Sequence, residues 1–179
     1  MLVIAGVAAT VVVLGRAGVK HLLDPTPLAT SLDTGSGHRW LPAAVRTWGL
    51  VETGLGGGLV AAVVWPGLWA TPLAVAAVLV LVGYSVWLSV RARSSQPWCS
   101  CTSIRTPINS AAILRPLVMA APVAALAALS SAGSDPLAGM APVEMITTVF
   151  AGLGLGLVGW FYPEAVAVPA ARQRLGLAL

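Results

Sequence analysis

The sequence predicts an all-α membrane protein, a polytopic bundle of about five transmembrane helices that forms a single domain. Composition carries this prediction. Hydrophobic residues make up 58% of the 179 residues and charged residues only 9%, whereas a soluble domain has roughly 25% charged residues. The mean hydropathy is +0.89. Because apolar runs occupy most of the length, we expect no separate soluble domain beside the bundle.

Five apolar segments are long enough to cross a bilayer, because a hydrocarbon core about 30 Å thick needs roughly 20 residues of helix. A lipid-exposed backbone must satisfy its own hydrogen bonds, so each segment is predicted to be helical. The first segment lacks the basic start and the Ala-x-Ala site of a cleaved signal peptide, and we expect it to be retained. The predicted spans are 2–19, 46–65, 68–90, 111–130 and 143–162.

Basic residues are distributed unevenly among the links between these spans. The first link, the third link and the C-terminal tail, with their flanks, hold all ten Lys and Arg residues, and the second and fourth links hold none. Since cytoplasmic links are enriched in Lys and Arg, we expect an integral protein of a bacterial cell membrane with its N-terminus outside and its C-terminus in the cytoplasm. Basic residues confined to span ends are topology signals, so nucleic acid is not an expected partner.

Glycines and prolines inside the spans indicate how the helices pack. Gly54/Gly58 in the second span and Gly152/Gly156 in the fifth form small-xxx-small pairs, which favour close helix contacts. Prolines in the fourth span predict a kink or weakened hydrogen bonding there. These prolines are Pro116 and Pro122, and the candidate caps of the same helix are Asn109 and Ser110.

Seven tryptophans lie near the predicted span ends, as in an aromatic belt at the membrane interface. They are Trp40, Trp48, Trp65, Trp69, Trp87, Trp98 and Trp160.

Two ionisable residues fall inside predicted spans. Glu52 lies about two turns into the second span and Arg115 about one turn into the fourth. Burying either charge alone is costly, so we expect Glu52 to have a fixed partner among Arg115, Lys20 and Arg16. Lys20, Glu52 and Arg115 form the predicted charge network, while snorkelling to the headgroups is the alternative for Arg16 and Lys20.

The third link holds both cysteines of the chain, Cys99 and Cys101, in a polar stretch with Arg91, Arg93 and Arg105 around it. Nearby arginines favour the thiolate, which is the form that attacks a disulfide. A Cys-x-Cys disulfide requires a bent backbone, so it is expected to be strained and easily reduced. We predict Cys99 and Cys101 as the catalytic residues, with metal binding or no function as the alternatives.

Histidines of the first link give the metal alternative its ligands. The first and third links are predicted on the same side, so His21 and His38 can join Cys99 and Cys101 in a tetrahedral zinc or copper site. Otherwise these histidines are interfacial or solvated, or one serves as a base for a thiol. The main prediction contains neither a metal nor another cofactor.

Four features together resemble the MauE/DoxX family, in particular the type named for methylamine-utilisation protein MauE. They are Val19-Lys20-His21-Leu22-Leu23-Asp24-Pro25 after the first span, Glu52, Cys99-Ser100-Cys101 and Arg115, and they cover about residues 5–130. The chain has Thr102-Ser103 where Phe-Gly is often found, and Pro116 in place of Asn. The resemblance implies a four-helix core plus one further helix. It also implies thiol and disulfide exchange with thioredoxin-like partners, in some members during maturation of disulfide-rich secreted proteins.

The sequence therefore predicts a membrane thiol/disulfide redox protein, a component of an oxidoreductase if it is an enzyme. The alternative is a non-catalytic accessory subunit or assembly factor of a larger membrane complex. One cysteine pair cannot relay electrons across a bilayer by itself. Either the loop is reached from both faces, or electrons pass to a quinone or to another subunit.

Overall fold

A computed structural model describes residues 1–32, 38–93, 98–99 and 106–174, without the side chains of 98–99, 106–107 and 163–174. Within these ranges the chain forms six helices and one pair of two-residue strands. The helices are α1 (Leu2–Leu23), α2 (Thr26–Leu32), α3 (Leu41–Val64), α4 (Ala70–Ala92), α5 (Ser110–Ser131) and α6 (Pro142–Arg174), and the strands are β1 (Trp98–Cys99) and β2 (Thr106–Pro107).

Five of these helices are long and apolar enough to cross a membrane: α1, α3, α4, α5 and the Pro142–Tyr162 part of α6. The predicted all-α bundle with five spans is confirmed. Several helix ends lie outside the predicted spans, and the largest extensions are at the end of α1, the start of α3 and the end of α6, which continues to Arg174. The first helix continues to Leu23, because Pro25 disfavours helical backbone only at the residue before it, Asp24. The third helix begins at Leu41, where Pro42 occupies a first-turn position that needs no N–H donor.

The first helix lies at the centre of the bundle, in contact with α3, α5 and α6, while α4 packs on α5 and α3. Its contact with α3 follows a heptad-like spacing of four and three residues on both helices, as in coiled-coil seams. On α1 this seam consists of Val7, Val11, Leu14, Gly18 and His21, and on α3 of Val45, Gly49, Glu52, Gly56 and Leu59.

Glycines let α1 and α3 approach closely. A Cβ atom on Gly49 would lie 2.7 Å from the Gly18 carbonyl oxygen. The predicted pair Gly54/Gly58 does not form this contact: Gly54 is exposed with open space around it, and Gly58 faces only the Leu73 side chain. The prediction chose the wrong glycines because the seam repeats every seven residues, which selects Gly49 and Gly56 on α3 instead.

The second glycine pair packs as expected. Gly156 lies against α1, where an added Cβ would be 2.8 Å from the Ala9 carbonyl oxygen and 2.9 Å from the Val12 Cβ. Gly152 packs in the same way against the Ala5 carbonyl oxygen, with the Ala8 Cβ at 2.7 Å. The close approach of α6 to α1 therefore depends on this pair.

The fourth span, α5, runs as one helix through both of its prolines. Each proline removes the N–H bond to the carbonyl four residues before it, and a side chain from a neighbouring helix lies at the next carbonyl along, three residues before the proline. The Ser85 hydroxyl donates to the Ile113 oxygen at 2.7 Å. The Thr10 hydroxyl lies 2.9 Å from the Gly6 carbonyl oxygen of its own helix and 3.2 Å from the Met119 oxygen of α5, and its single proton is shared between these two acceptors. As predicted, Asn109 caps the helix, accepting from the Ala112 N–H at 2.8 Å.

We expect Ser85→Ala to lower the free energy of unfolding by about 0.6–1.7 kcal/mol, the range measured for interhelical hydrogen bonds in membranes. Ser89→Ala is the matched control, because the Ser89 hydroxyl donates to the Ser85 carbonyl within its own helix at 2.9 Å. The control should change stability by less than about 0.5 kcal/mol. Unfolding of the purified protein in mixed micelles measures both, and equal effects of the two variants would contradict the interhelical role.

One end of the bundle is closed by α2 and the strand pair. Leu28 and Ala29 of α2 pack in a small apolar cluster with Leu41, Val45 and Leu88. Strands β1 and β2 are antiparallel, with Trp98 opposite Pro107 and Cys99 opposite Thr106. The first strand lies beside α2 and the second beside α6.

Candidate functional site

A buried histidine and glutamate pair lies on the seam between α1 and α3. His21 Nδ1 and Glu52 Oε2 are 2.6 Å apart, and the two residues are only 3% and 6% exposed. An ionised carboxylate has no proton to donate, so the Nδ1–H of His21 donates to Glu52. The second carboxylate oxygen, Oε1, accepts the indole N–H of Trp48 at 3.0 Å. Both oxygens of Glu52 are therefore satisfied inside the bundle.

Helix extension explains why this pair forms. Lys20 and His21, expected in a polar link, lie in the last turn of α1, and the earlier start of α3 places Glu52 about three turns inside that helix. Trp48 and Glu52 are four residues apart, which puts them on the same helix face. His21 and Glu52 then meet because each occupies a seam position on its own helix.

The pair borders a small cavity with about 30 Å³ of space for the centres of water molecules. A single water needs about 10–15 Å³ by this measure, so the space suits about two waters or a small part of a ligand. Its polar lining comes from His21, Glu52, Tyr84 and Arg115. The other residues of the lining are Val13, Leu14, Ala17, Trp48, Val80, Leu81, Pro116, Met119 and Trp160.

The second ring nitrogen of His21, Nε2, is fully buried. Among the described residues it has no hydrogen-bond partner. With Nδ1–H fixed on Glu52, a neutral imidazole presents Nε2 as an acceptor, whereas an imidazolium presents it as a donor.

Arg115 and Trp160 form part of the cavity lining, and Arg16 lies outside it. The Arg115 guanidinium lies 5.7 Å from the centre of the Trp160 ring, and the Arg16 guanidinium lies 5.6 Å from the same ring. Arg16 also lies 5.3 Å from the Phe161 ring centre. Trp160 is only 4% exposed, so its assignment to the aromatic belt was wrong. Its ring is instead buried within 5.7 Å of two guanidinium groups, and cations near an indole face are attracted to its electrons.

The structure brings some of the predicted site residues together and leaves others apart. Glu52 and Arg115 of the expected charge network line one cavity, whereas Lys20 lies outside its lining. The partner of Glu52 that the hydrogen bonds identify is His21, which had been assigned to a metal site, to thiol chemistry or to the interface. His38 is exposed and stacks on Trp40 at 5.7 Å.

The structure describes one of the two cysteines, and only its backbone. For Cys99 the backbone is placed in β1, and Cys101 lies outside the described residues, as does Arg105. Among the side chains that the structure describes, no group of three or more His, Cys, Asp and Glu residues is arranged to hold a metal ion. The zinc or copper alternative through Cys99, Cys101, His21 and His38 therefore stays a prediction.

Three residues of the cavity were missed as site residues: Trp48, Tyr84 and Trp160. The Trp48–Glu52 spacing of four residues was a readable signal for a helix-face hydrogen bond. Tyr84 stacks on Trp87 with ring centres 5.6 Å apart, and only the three-dimensional packing places it beside Glu52. No family model matches this chain, and comparison with curated proteins and with solved structures gives no match.

Proposed function

We propose that this chain is a membrane thiol/disulfide redox protein that exchanges electrons with a thioredoxin-like partner through Cys99 and Cys101, supporting the maturation of other proteins. One observation carries the proposal. Three of the residues on which the resemblance to the MauE/DoxX family rests, His21, Glu52 and Arg115, come from three different helices and line one buried cavity. Such convergence of intramembrane ionisable residues is typical of a functional site.

The position of the cysteine link supports the same function. Beta pairing of Cys99 with Thr106 fixes the backbone of the first cysteine at the end of the bundle where α4 ends and α5 begins. That is also the end at which α1 ends, with His21 in its last turn. The link and the buried pair therefore belong to the same half of the molecule.

The proposed exchange is balanced. A thiolate of the pair attacks the partner's disulfide and forms a mixed disulfide, and the released partner sulfur takes up a proton. The second cysteine then attacks the mixed bond, forms the Cys99–Cys101 disulfide and releases the partner as a dithiol. Two electrons and two protons pass from this chain to its partner, and the reverse reaction has the same balance.

The orientation follows from charge. The end that carries the cysteine link also carries basic side chains, Lys20, Arg39, Arg46, Arg91 and Arg93, while the opposite end has the acidic Asp135 and Glu144. Because basic ends face the cytoplasm, we place the cysteine link on the cytoplasmic side of a bacterial cell membrane. The N-terminus of the chain then lies outside.

Differential alkylation tests the redox proposal. Sealed cells and inverted vesicles are treated with a membrane-impermeant maleimide, with and without reductant, and the protein mass is then measured. We expect the maleimide to label the protein in inverted vesicles. When a thioredoxin-like partner has been supplied in its disulfide form, treatment with reductant should add two further labels to the protein. Cys99→Ser/Cys101→Ser is the control that takes no label. Cysteines that keep one redox state with and without the partner would rule the function out.

The accessory-subunit alternative has one structural feature in its favour. Gly54 and Gly57 on α3 are exposed, with open space where a side chain would begin, so another transmembrane helix has room to approach closely there. Under this alternative, Cys99→Ser/Cys101→Ser supports host function normally, whereas Gly54→Leu abolishes it. The redox proposal expects the reverse pattern.

A further inference from the structure

A cleft separates α5 from α6. Its volume is about 510 Å³, within the range of roughly 300–1,000 Å³ typical of small-molecule sites. Both helices pack on α1 more extensively than on each other. Gly6 of α1 lies against the Pro122 ring of α5, and Gly156 of α6 lies against Ala9 of α1. Because each helix is held close to α1, residues of α1 line the cleft and the space between α5 and α6 stays open.

The cleft opens sideways, toward the lipid. Four apolar residues in its lining are exposed, and all four belong to the membrane-spanning parts of α5 and α6. They are Leu114, Val118, Leu155 and Val158. Exposed surface at this depth contacts acyl chains in a bilayer. An acyl chain therefore has direct access to the cleft.

Polar side chains are confined to one end of the cleft. Ser110 and Arg115 lie in the first turns of α5, and Tyr162 lies at the end of the spanning part of α6. Successive spans run in opposite directions, so these three residues share one end, and the remaining lining is apolar. Arg115 is the only charged residue of the lining, which contains no Asp or Glu among the described residues.

We propose that this cleft binds an anionic phospholipid, with its phosphate at Arg115 and one acyl chain between α5 and α6. A guanidinium suits a phosphate because it donates two parallel hydrogen bonds. An acyl chain without a headgroup gains nothing from Arg115, and a soluble anion gains nothing from the apolar walls. In a zwitterionic lipid the ammonium group offsets the phosphate charge, so the attraction to Arg115 is weaker. An anionic phospholipid matches both ends of the cleft, and the site does not depend on the proposed redox function.

Native mass spectrometry of the purified, delipidated full-length protein tests the charge selectivity, by titration with phosphatidylglycerol or phosphatidylcholine. We expect saturable binding of phosphatidylglycerol, about fivefold or more tighter than that of phosphatidylcholine. Arg115→Gln should remove this preference, and Arg115→Lys should keep most of it. Arg46→Gln is the matched control and should keep the preference. Arg46 and Arg115 each lie five residues after the start of their helix, but Arg46 is exposed and lies outside the cleft.

Filling the cleft tests the acyl-chain position without changing any charge. Val158 lines the cleft and is 64% exposed, so Val158→Trp places a large ring in the open space. This variant should bind phosphatidylglycerol about tenfold or more weakly than the wild type. Val86→Trp on α4 is the control, because Val86 is 58% exposed and lies outside the cleft. It should bind within about twofold of the wild type.

Equal binding of the two lipids by the wild type would overturn the proposal, and so would unchanged binding by Val158→Trp. Glycerol phosphate has the phosphate but no acyl chain, and it should not compete with phosphatidylglycerol. Competition at equal concentration would identify a site for soluble phosphate esters and would also overturn the proposal. Cys99→Ser/Cys101→Ser should bind phosphatidylglycerol as the wild type does. A failure of the redox function in the alkylation experiment is thereby distinguished from a failure of this site.

Discussion

Replacing Glu52 with alanine should destabilise the bundle by about 1.5–4.5 kcal/mol, because a buried donor left without its acceptor costs about 1–3 kcal/mol and the hydrogen bond of Trp48 contributes about 0.5–1.5 kcal/mol more. Glu52 is 6% exposed, and its two oxygens accept from His21 and Trp48 at 2.6 and 3.0 Å. The substitution leaves the buried His21 N–H and the indole N–H of Trp48, which is 36% exposed, without their acceptor. Glu52→Gln keeps an acceptor oxygen and should lose less. Unfolding of the purified protein in mixed micelles measures each change.

Glu144→Ala is the control for loss of a carboxylate. Glu144 lies in the first turn of α6, where it accepts the Ala141 N–H at 3.0 Å near solvent, so we expect a loss of about 0.5–2 kcal/mol, as for other helix caps. A double-mutant cycle of Glu52→Ala with His21→Ala isolates the pair. Strictly additive effects in that cycle would show that the two side chains do not interact, contrary to their geometry.

The sequence was sufficient for the fold because membrane insertion depends on a local property. Each span is recognisable from its own apolar length, without knowledge of its neighbours, and all five predicted spans lie largely within helices. The residue at which a helix ends is harder to recognise from apolar length alone. Leu22 and Leu23 continue α1 past Lys20 and His21, so two polar residues that suggested a link belong to the last helical turn.

This shift at the helix end also explains what was missed at the site. Glu52 was recognised as a residue that needs a partner, yet the partner was sought among Lys and Arg, while His21 was assigned to the interface, to a metal site or to thiol chemistry. The four-and-three spacing was present in the sequence, from Leu14 through Gly18 to His21 on one helix, and from Val45 through Gly49 to Glu52 on the other. Deciding that these two seams face each other required the packed structure.

Gly49→Ala should also destabilise the bundle strongly, although it adds only one methyl group. The new Cβ would lie 2.7 Å from the Gly18 carbonyl oxygen and 3.0 Å from the His21 Cβ. A backbone carbonyl in a packed helix cannot turn aside as a flexible side chain can, so α1 and α3 must separate. Overpacking of this kind typically costs about 1–3 kcal/mol and more where the backbone blocks relief. We expect the upper end of that range or above.

Gly54→Ala in the same helix is the matched control, since Gly54 is exposed and nothing lies within 4 Å of the added atom. Its effect should be neutral or stabilising by up to about 1 kcal/mol, because alanine favours helix over glycine. Separation of α1 from α3 also lengthens the His21–Glu52 hydrogen bond, so Gly49→Ala should weaken the imidazole Nδ1–H signal in nuclear magnetic resonance spectra, and Gly54→Ala should not. If both variants kept this signal and the stability of the wild type, then the close contact of the two glycines would not be what positions the buried pair.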